Sequence, residues 1–475
     1  MDTIWLPELV NGQGPKYKAV AQSIRDGIAK GTLPVGQKLP PVRDLAWTLQ
    51  ITPGTVARAY TILTDEGLLE AEVGRGTFVA PPVQPASETP YVPIEIDPLP
   101  HSGRNVGPRE THRVNLFSPV LPSIGQAGLI RKHLSKVAED PPSGVMHYPG
   151  RPAARAAQDA ALGWLQGCPL GPLEAQDIVL TLGGQHGILT VMQAVLHGKR
   201  PAILVEELAY PGFRRAAELL RADVVPVAMD EDGLIPEALI AAAKSCDAQI
   251  LCTSPEVHNP TVGETPLARR REIAEIAAQY DLQILEDDCY RMGFNRAETY
   301  RALAPERGWY ISSVAKTLTP ALRLGFAVAP KGKMPALRRT VEHGMFGLPT
   351  PMIDLAASLL PDPALTPVLT RSREIYAEYM ASAVEILEGY DVSWRADVPF
   401  LWLSLPRGWR AGAFCRAAEA ADVPVRSAEE FAGRDARVPH AVRMALNAGV
   451  SFASFEAAMK RLRALLDHPP EELGV

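Results

Sequence analysis

The chain has 475 residues, 47% of them hydrophobic and 21% charged, and a formal net charge of −6. This is a globular balance in a chain too long for one hydrophobic core, so two or more domains are expected. No global basic field advertises nucleic acid, so any DNA contact must come from a local patch. No apolar run reaches the ~18 residues that a membrane-spanning helix needs.

The opening Met1-Asp2-Thr3-Ile4-Trp5 has no basic region leading into an apolar run, so no signal peptide is expected. Cys168, Cys246, Cys252, Cys289 and Cys415 stand in no metal-ligand spacing, and their odd number argues against a disulfide framework. The expectation is a reduced, cytoplasmic protein with no metal.

In chain order, Gly14-Pro15-Lys16-Tyr17 opens an amphipathic helix with Val20, Ile24 and Ile28 at helical spacing. Gly31 to Gly36 turns the chain, and a second helix starts in Leu39-Pro40-Pro41-Val42-Arg43-Asp44-Leu45-Ala46. A third begins at Thr52-Pro53-Gly54-Thr55, with Thr52 as N-cap and proline at the first helical position. Two short helices joined by a tight turn are helix-turn-helix geometry, whose second helix offers its N-terminal residues to the major groove. Gly67–Glu72 and Gly74–Val79 form a hairpin with Arg75 at its tip.

Over about sixty-five residues this segment resembles the winged helix-turn-helix of the GntR family. The matching pieces are Gly31-x-Leu33-x-x-Gly36-x-x-Leu39-Pro40, Arg43-x-Leu45-Ala46, Thr55-Val56-x-Arg58-Ala59 and Arg75-Gly76-Thr77-Phe78-Val79. The resemblance implies DNA contacts from Arg43, Thr52, Thr55, Arg58, Arg75 and Gly76. Pro53-Gly54 departs from the polar or basic residue often found there, which implies fewer base contacts from this helix tip. The segment is only mildly basic, so tight binding calls for a dimer reading two half-sites.

A proline-rich stretch at 81–113 reads as an extended, semi-rigid linker between a reader at 12–80 and a domain at 114–475. In the latter, a large part (about 150–350) precedes a smaller C-terminal one (about 351–475). Asp177–Thr181, Pro201–Val205, Gln249–Cys252 and Leu282–Leu285 read as short buried strands, and helical stretches such as 267–280 lie between them. That alternation predicts an α/β domain with a mostly parallel sheet.

Five segments of this domain carry chemistry. Thr181-Leu182-Gly183-Gly184-Gln185-His186-Gly187 turns from a strand into a helix, an anion site built from backbone N–H groups. Tyr210 precedes Pro211, and Asn259 lies in His258-Asn259-Pro260-Thr261. Glu286-Asp287-Asp288-Cys289-Tyr290 ends an apolar strand, where carboxylates face the usual α/β site. In Ser312-Ser313-Val314-Ala315-Lys316-Thr317, followed by Arg323, a lysine amine beside hydroxyls and a guanidinium suits pyridoxal phosphate (PLP), which needs an amine for its aldehyde and donors for its phosphate.

In this order the segments resemble fold-type I aminotransferases over roughly residues 114–475. The resemblance implies that Lys316 carries the internal aldimine, Asp287 pairs the pyridine nitrogen, and Asn259 and Tyr290 bond the phenolic oxygen. It places Ser313, Arg323 and the amides of Gly184 and Gln185 on the phosphate, and Tyr210 on the ring. It also implies that Tyr148 reaches the partner subunit's phosphate and that Arg443 clamps an effector carboxylate. Ala315 replaces a hydroxyl residue common before the lysine, and Val262 interrupts the usual Asn-Pro-Thr-Gly.

The whole chain is thereby similar to the MocR/GabR group of bacterial transcriptional regulators. The expectation is a PLP-dependent, promoter-binding, head-to-tail homodimer that senses an amino acid, an amine or PLP itself. The alternative is a working PLP-dependent aminotransferase with an accessory DNA-binding domain. Weak transamination is chemically available under either reading, because Lys316, once released, can act as the base.

Overall fold

A computed structural model describes residues 15–66, 68–72, 76–80, 113–146, 148, 151–293, 297–433 and 436–469. The expected linker, apart from Arg113, and the wing-tip Arg75 lie outside them. The chain divides into two compact units, Met1–Gly107 and Pro108–Val475. Among the described residues no helix is long and apolar enough to cross a membrane.

In the N-terminal unit, α1 (Lys16–Ala29), α2 (Val42–Thr48) and α3 (Pro53–Asp65) surround a core that includes Val20, Ile24, Leu45, Val56 and Leu63. β1 (Leu69–Glu72) and β2 (Gly76–Val79) pair antiparallel, with Leu69 opposite Val79, and Lys38 bridges to Phe78. Thr52 precedes α3 with Pro53 in the first turn, as its sequence predicts, but its hydroxyl meets the Thr55 hydroxyl at 2.9 Å and caps no backbone N–H. The Tyr60 hydroxyl donates to the Pro40 carbonyl (2.8 Å), which ties α3 to the turn before α2.

The C-terminal unit is built on a seven-stranded sheet. After α4 (Gln126–Glu139) and α5 (Arg151–Trp164) come β3 (Ile178–Thr181), α6 (Gly184–Val195), β4 (Ala202–Glu206), α7 (Pro211–Leu219) and β5 (Asp223–Val227). A two-residue hairpin, β6 (Met229–Asp230) and β7 (Gly233–Leu234), leads to α8 (Pro236–Ser245), β8 (Ala248–Thr253), α9 (Leu267–Gln279) and β9 (Gln283–Asp287). Then follow α10 (Tyr300–Leu303), β10 (Gly308–Ser313), β11 (Gly325–Val328), α11 (Met334–Met345) and α12 (Thr350–Leu359). The strand order is β3-β11-β10-β9-β8-β4-β5, and β11 runs antiparallel to both its neighbours. The central strands are apolar on both faces because helices cover both, as a mostly parallel sheet requires.

A second, antiparallel sheet follows α13 (Leu365–Ile386). It comprises β12 (Val392–Ser393), β13 (Phe400–Ser404), β14 (Arg426–Ser427) and β15 (Ala441–Ala445), packed with α14 (Ala411–Ala420) and α15 (Phe452–Asp467). The extended segment at 114–120 joins this lobe: Val114 N–H donates to Asp422 O, and Leu116 O accepts from Ala445 N–H.

Val262 stands at φ +70°, a region β-branched residues rarely enter and one that suits the glycine expected there. Its side chain, 3% exposed, packs in one cluster with Val398 and with Phe400 and Trp402 of the second sheet. Such strain costs on the order of 1–3 kcal/mol and is held by the surrounding packing.

Candidate functional site

The candidate residues follow strand ends that share one edge of the large sheet. Thr181 pairs with Gly325, Gly325 with Ser313, Ile311 with Asp287, Leu285 with Cys252, and Cys252 with Val205. The carboxyl ends of β3, β4, β8, β9 and β10 and the start of β11 therefore lie side by side, the crevice where open α/β sheets bind ligands. Gly184 and Gln185 follow β3, Tyr210 follows β4, Asn259 follows β8, Asp287 ends β9, Ser313 ends β10, Lys316 follows it, and Arg323 precedes β11.

One corner of this edge is built for an anion. Gly183, at φ +80°, precedes α6, and Arg323 takes φ +48° so that its guanidinium lies against it. A Cβ on Gly183 would stand 2.7 Å from Arg323 Nη2, and one on Gly325 would stand 2.7 Å from the Gly183 carbonyl carbon. A Cβ on Gly184 would collide with the Cys289 sulfur. Three glycines thus let an arginine, a thiol and a helix N-terminus come together. The first N–H groups of a helix lack intrahelical acceptors, so this corner carries donors and positive charge. Gln185 Nε2 donates to Gly212 O (2.9 Å), and Ser313 Oγ accepts from Ala315 N–H (3.4 Å).

A second corner holds buried polar groups. Asp287 is 8% exposed and accepts from Cys289 N–H at 3.1 Å. Burial raises its pKa, and the bonds from Cys289 oppose that rise. Asn259, 2% exposed, accepts from Arg443 Nη1 at 2.7 Å, while its Nδ2 is buried with no acceptor among the described residues. Lys316 Nζ stands 5.2 Å from the Tyr290 ring centroid. Burial alone would raise the Tyr290 phenol, but the charges of Lys316, Arg443 and Arg426 outweigh it and hold its pKa below the ordinary 10. Burial pushes the Tyr210 phenol up, and neighbouring Asp287 and Tyr290 add to that.

Arg443, 2% exposed, lies about 5 Å from the ring centroids of Phe400 and Phe431 and gives its second terminal nitrogen to Phe117 O at 2.5 Å. Phe117, Phe400 and Phe431 stand in no sequence motif, Cys289 sits inside one whose carboxylates carry the signal, and a backbone carbonyl such as that of Phe117 leaves no mark in a sequence. Tyr148 is not brought to this edge: it is exposed, with its ring 5.4 Å from that of Phe346.

These residues fit pyridoxal phosphate. The glycine cradle with Arg323 suits a phosphate, the unsatisfied Asn259 Nδ2 suits a phenolic oxygen, and buried Asp287 suits a protonated ring nitrogen. Glu286, next in the strand, points to the opposite face and is fully buried, accepting from Tyr300 N–H at 2.7 Å. Burial raises its pKa to about 8, against 4.5 for an ordinary glutamate. A raised folded value means that its stabilising contribution is complete below about 4.5 and is lost as pH rises through about 8. Glu286→Gln keeps a carbonyl acceptor for Tyr300, so thermal melts should show a flatter pH dependence over that window and a melting temperature above wild type at pH 8.

In the N-terminal unit Arg43, Thr52 and Arg58 are exposed and Thr55 is half-buried. The Arg58 guanidinium lies 4.3 Å from the Tyr17 ring centroid. Gly76 takes φ +122°, with Lys38 so close that a Cβ would stand 2.7 Å from its Cε.

Comparison with known proteins places both units. Residues 16–79 match the family model of bacterial regulatory proteins, gntR family, and residues 129–462 match that of aminotransferase class I and II. An uncharacterized HTH-type transcriptional regulator, YdeF of Bacillus subtilis, is 27% identical over 467 residues, covering 98% of this chain and 97% of its own. The HTH-type pyridoxine biosynthesis transcriptional regulator PdxR of Corynebacterium glutamicum is 28% identical over 371 residues, 75% of each chain. Among solved structures, the α-aminoadipate aminotransferase LysN of Thermus thermophilus, complexed with N-(5'-phosphopyridoxyl)-L-leucine, matches with a TM-score of 0.65 and 21% identity. That match covers 75% of this chain and 92% of LysN and shows a shared fold.

Proposed function

Because the chain belongs to the aminotransferase class I and II family and carries a gntR-family reader, we propose that it is a PLP-dependent transcriptional regulator. In this reading an amino acid, an amine or the cofactor itself, held in the C-terminal unit, sets promoter affinity. The observation that carries it is one chain holding both a helix-turn-helix and a strand-end edge where Lys316, Asp287, Asn259 and Arg323 gather. The relatives support it, since both are described as HTH-type transcriptional regulators.

PLP, when bound, supplies an aldehyde that condenses with primary amines and a ring that withdraws electrons. Lys316 presents the amine. Asp287 holds a proton at the ring nitrogen, and Asn259 Nδ2 and the Tyr290 phenol meet the phenolic oxygen. Ser313, Arg323 and the amides of Gly184 and Gln185 hold the phosphate, while Tyr210 covers the ring. Arg443 takes an effector carboxylate by giving up Phe117 O or Asn259 Oδ1, so effector binding is coupled to the position of the 258–263 loop. The DNA-facing residues are Arg43, Thr52, Thr55, Arg58, Arg75 and Gly76. The assembly is a head-to-tail homodimer in which Tyr148 serves the partner's site. The effector acts only if it binds two arrangements of the protein unequally.

Turnover tests this reading against a working aminotransferase. Cofactor-loaded protein given an amino acid and a keto acid should exchange amine far more slowly than the ~1–10³ s⁻¹ typical of enzymes, while binding its promoter. Turnover within that range with no promoter binding would favour the enzyme.

A further inference from the structure

Between the two sheets of the C-terminal unit opens a second cleft of about 880 Å³, which shares no lining residue with the Lys316 edge. It is large enough for a metabolite. Its rim charges are unevenly used. Asp230 is paired with Arg269 at 3.0 Å, and Arg395 is paired with Asp397 at 2.9 Å and Glu264 at 3.6 Å. Among the described residues Glu207, Glu231 and Asp391 line the cleft with no cationic partner, and Arg437 lines it with no anionic one. Glu207 meets only a backbone donor, Met229 N–H at 3.2 Å. Trp402, 7% exposed, also lines the cleft, and its indole N–H has no acceptor among the described residues.

Among the described residues the cleft therefore offers three carboxylates without a cationic partner against one guanidinium without an anionic partner and one N–H donor without an acceptor. The complement is a molecule with two cationic groups and one anionic acceptor. We propose that this cleft binds a dibasic amino acid, of the class of lysine, ornithine or arginine. Its two cationic groups meet Glu207, Glu231 and Asp391, and its carboxylate meets Arg437 and the Trp402 indole. The wall of the cleft includes Thr261, Val262 and Gly263. These residues share a tight loop with Asn259, in which Val262 N–H donates to His258 O at 2.8 Å. Occupancy is thus felt at the Asn259–Arg443 pair without entry into the first site.

The test uses full-length protein treated with PLP and then borohydride, which fixes the cofactor on Lys316 and closes that site to amines. Calorimetric titration with L-lysine and L-arginine should show saturable binding of one per chain. Glu231→Gln and Arg437→Gln, both exposed and outside the cofactor set, should each weaken it about tenfold or more, with an unchanged melting temperature. No saturable binding, or binding that both substitutions leave intact, overturns the proposal. So does equal affinity for 1,5-diaminopentane, because the carboxylate would then play no part. Failure to fix any cofactor counts against the PLP reading instead, and the same titration still decides the cleft.

Discussion

Lys316→Ala should abolish the absorbance band near ~420 nm that marks PLP covalently attached to a protein amine. Borohydride treatment followed by mass spectrometry should then find no adduct. Lys316 is the amine beside Tyr290, 5.2 Å from its ring, and the charge-bearing neighbours Asp287 and Arg443 supply no alternative nucleophile. The phosphate corner keeps its groups in this change, since Gly183 and Gly184 belong to another loop and Arg323 stands at the far end of the β10–β11 connection, so the variant still takes up PLP without bonding to it. Arg323→Ala should do the reverse: affinity for PLP falls by about tenfold or more, while a saturating concentration restores the band. A persistent band in Lys316→Ala would move the attachment point elsewhere and dissolve the assignment of this edge.

The second large effect is expected at the reader. Arg43→Ala with Arg58→Ala should weaken promoter binding by about 10–1,000-fold near physiological salt and reduce the slope of log affinity against log salt by about 2 per reader. Both side chains are exposed, so folding should hardly change. Arg58 lies on Tyr17, which spares it part of the ordering cost of a free side chain and aims the guanidinium. Arg58→Lys should therefore recover only part of the affinity, because an ammonium neither stacks nor forks as a guanidinium does. Shift assays over a salt series measure both quantities. An unchanged salt slope would show that neither arginine meets phosphate.

Much of this architecture was legible because local chemistry and tertiary role agree. Pro53 after Thr52 starts α3, and the buried apolar runs ending at Thr181, Cys252 and Leu285 are strands. The candidate residues come together because each follows a strand end, and strand ends of a parallel sheet share an edge. Other features left no trace. The antiparallel β11 begins two residues after Arg323 and carries only four residues, so nothing in its pattern distinguishes its direction. Val262 marks a departure in sequence, yet its positive φ and its packing on Phe400 and Trp402 emerge only in three dimensions. The sequence marks Arg443 as a carboxylate clamp, but that Asn259 and the Phe117 carbonyl hold it and that it stacks on aromatic rings emerges only in the fold. The second cleft is assembled from Glu207, Asp391, Trp402 and Arg437, residues too far apart in sequence for any motif to join.

Coupling between cofactor and reader is read from the promoter affinity of one preparation, measured before and after PLP is stripped and then restored, with Lys316→Ala as control. A reversible change of about 5–150-fold is expected in wild type, the usual range for coupling between sites, and a markedly smaller one in the variant. Equal affinity in all three states, with the cofactor shown to be attached, would contradict it and leave a DNA-binding protein whose PLP domain does not report to its reader.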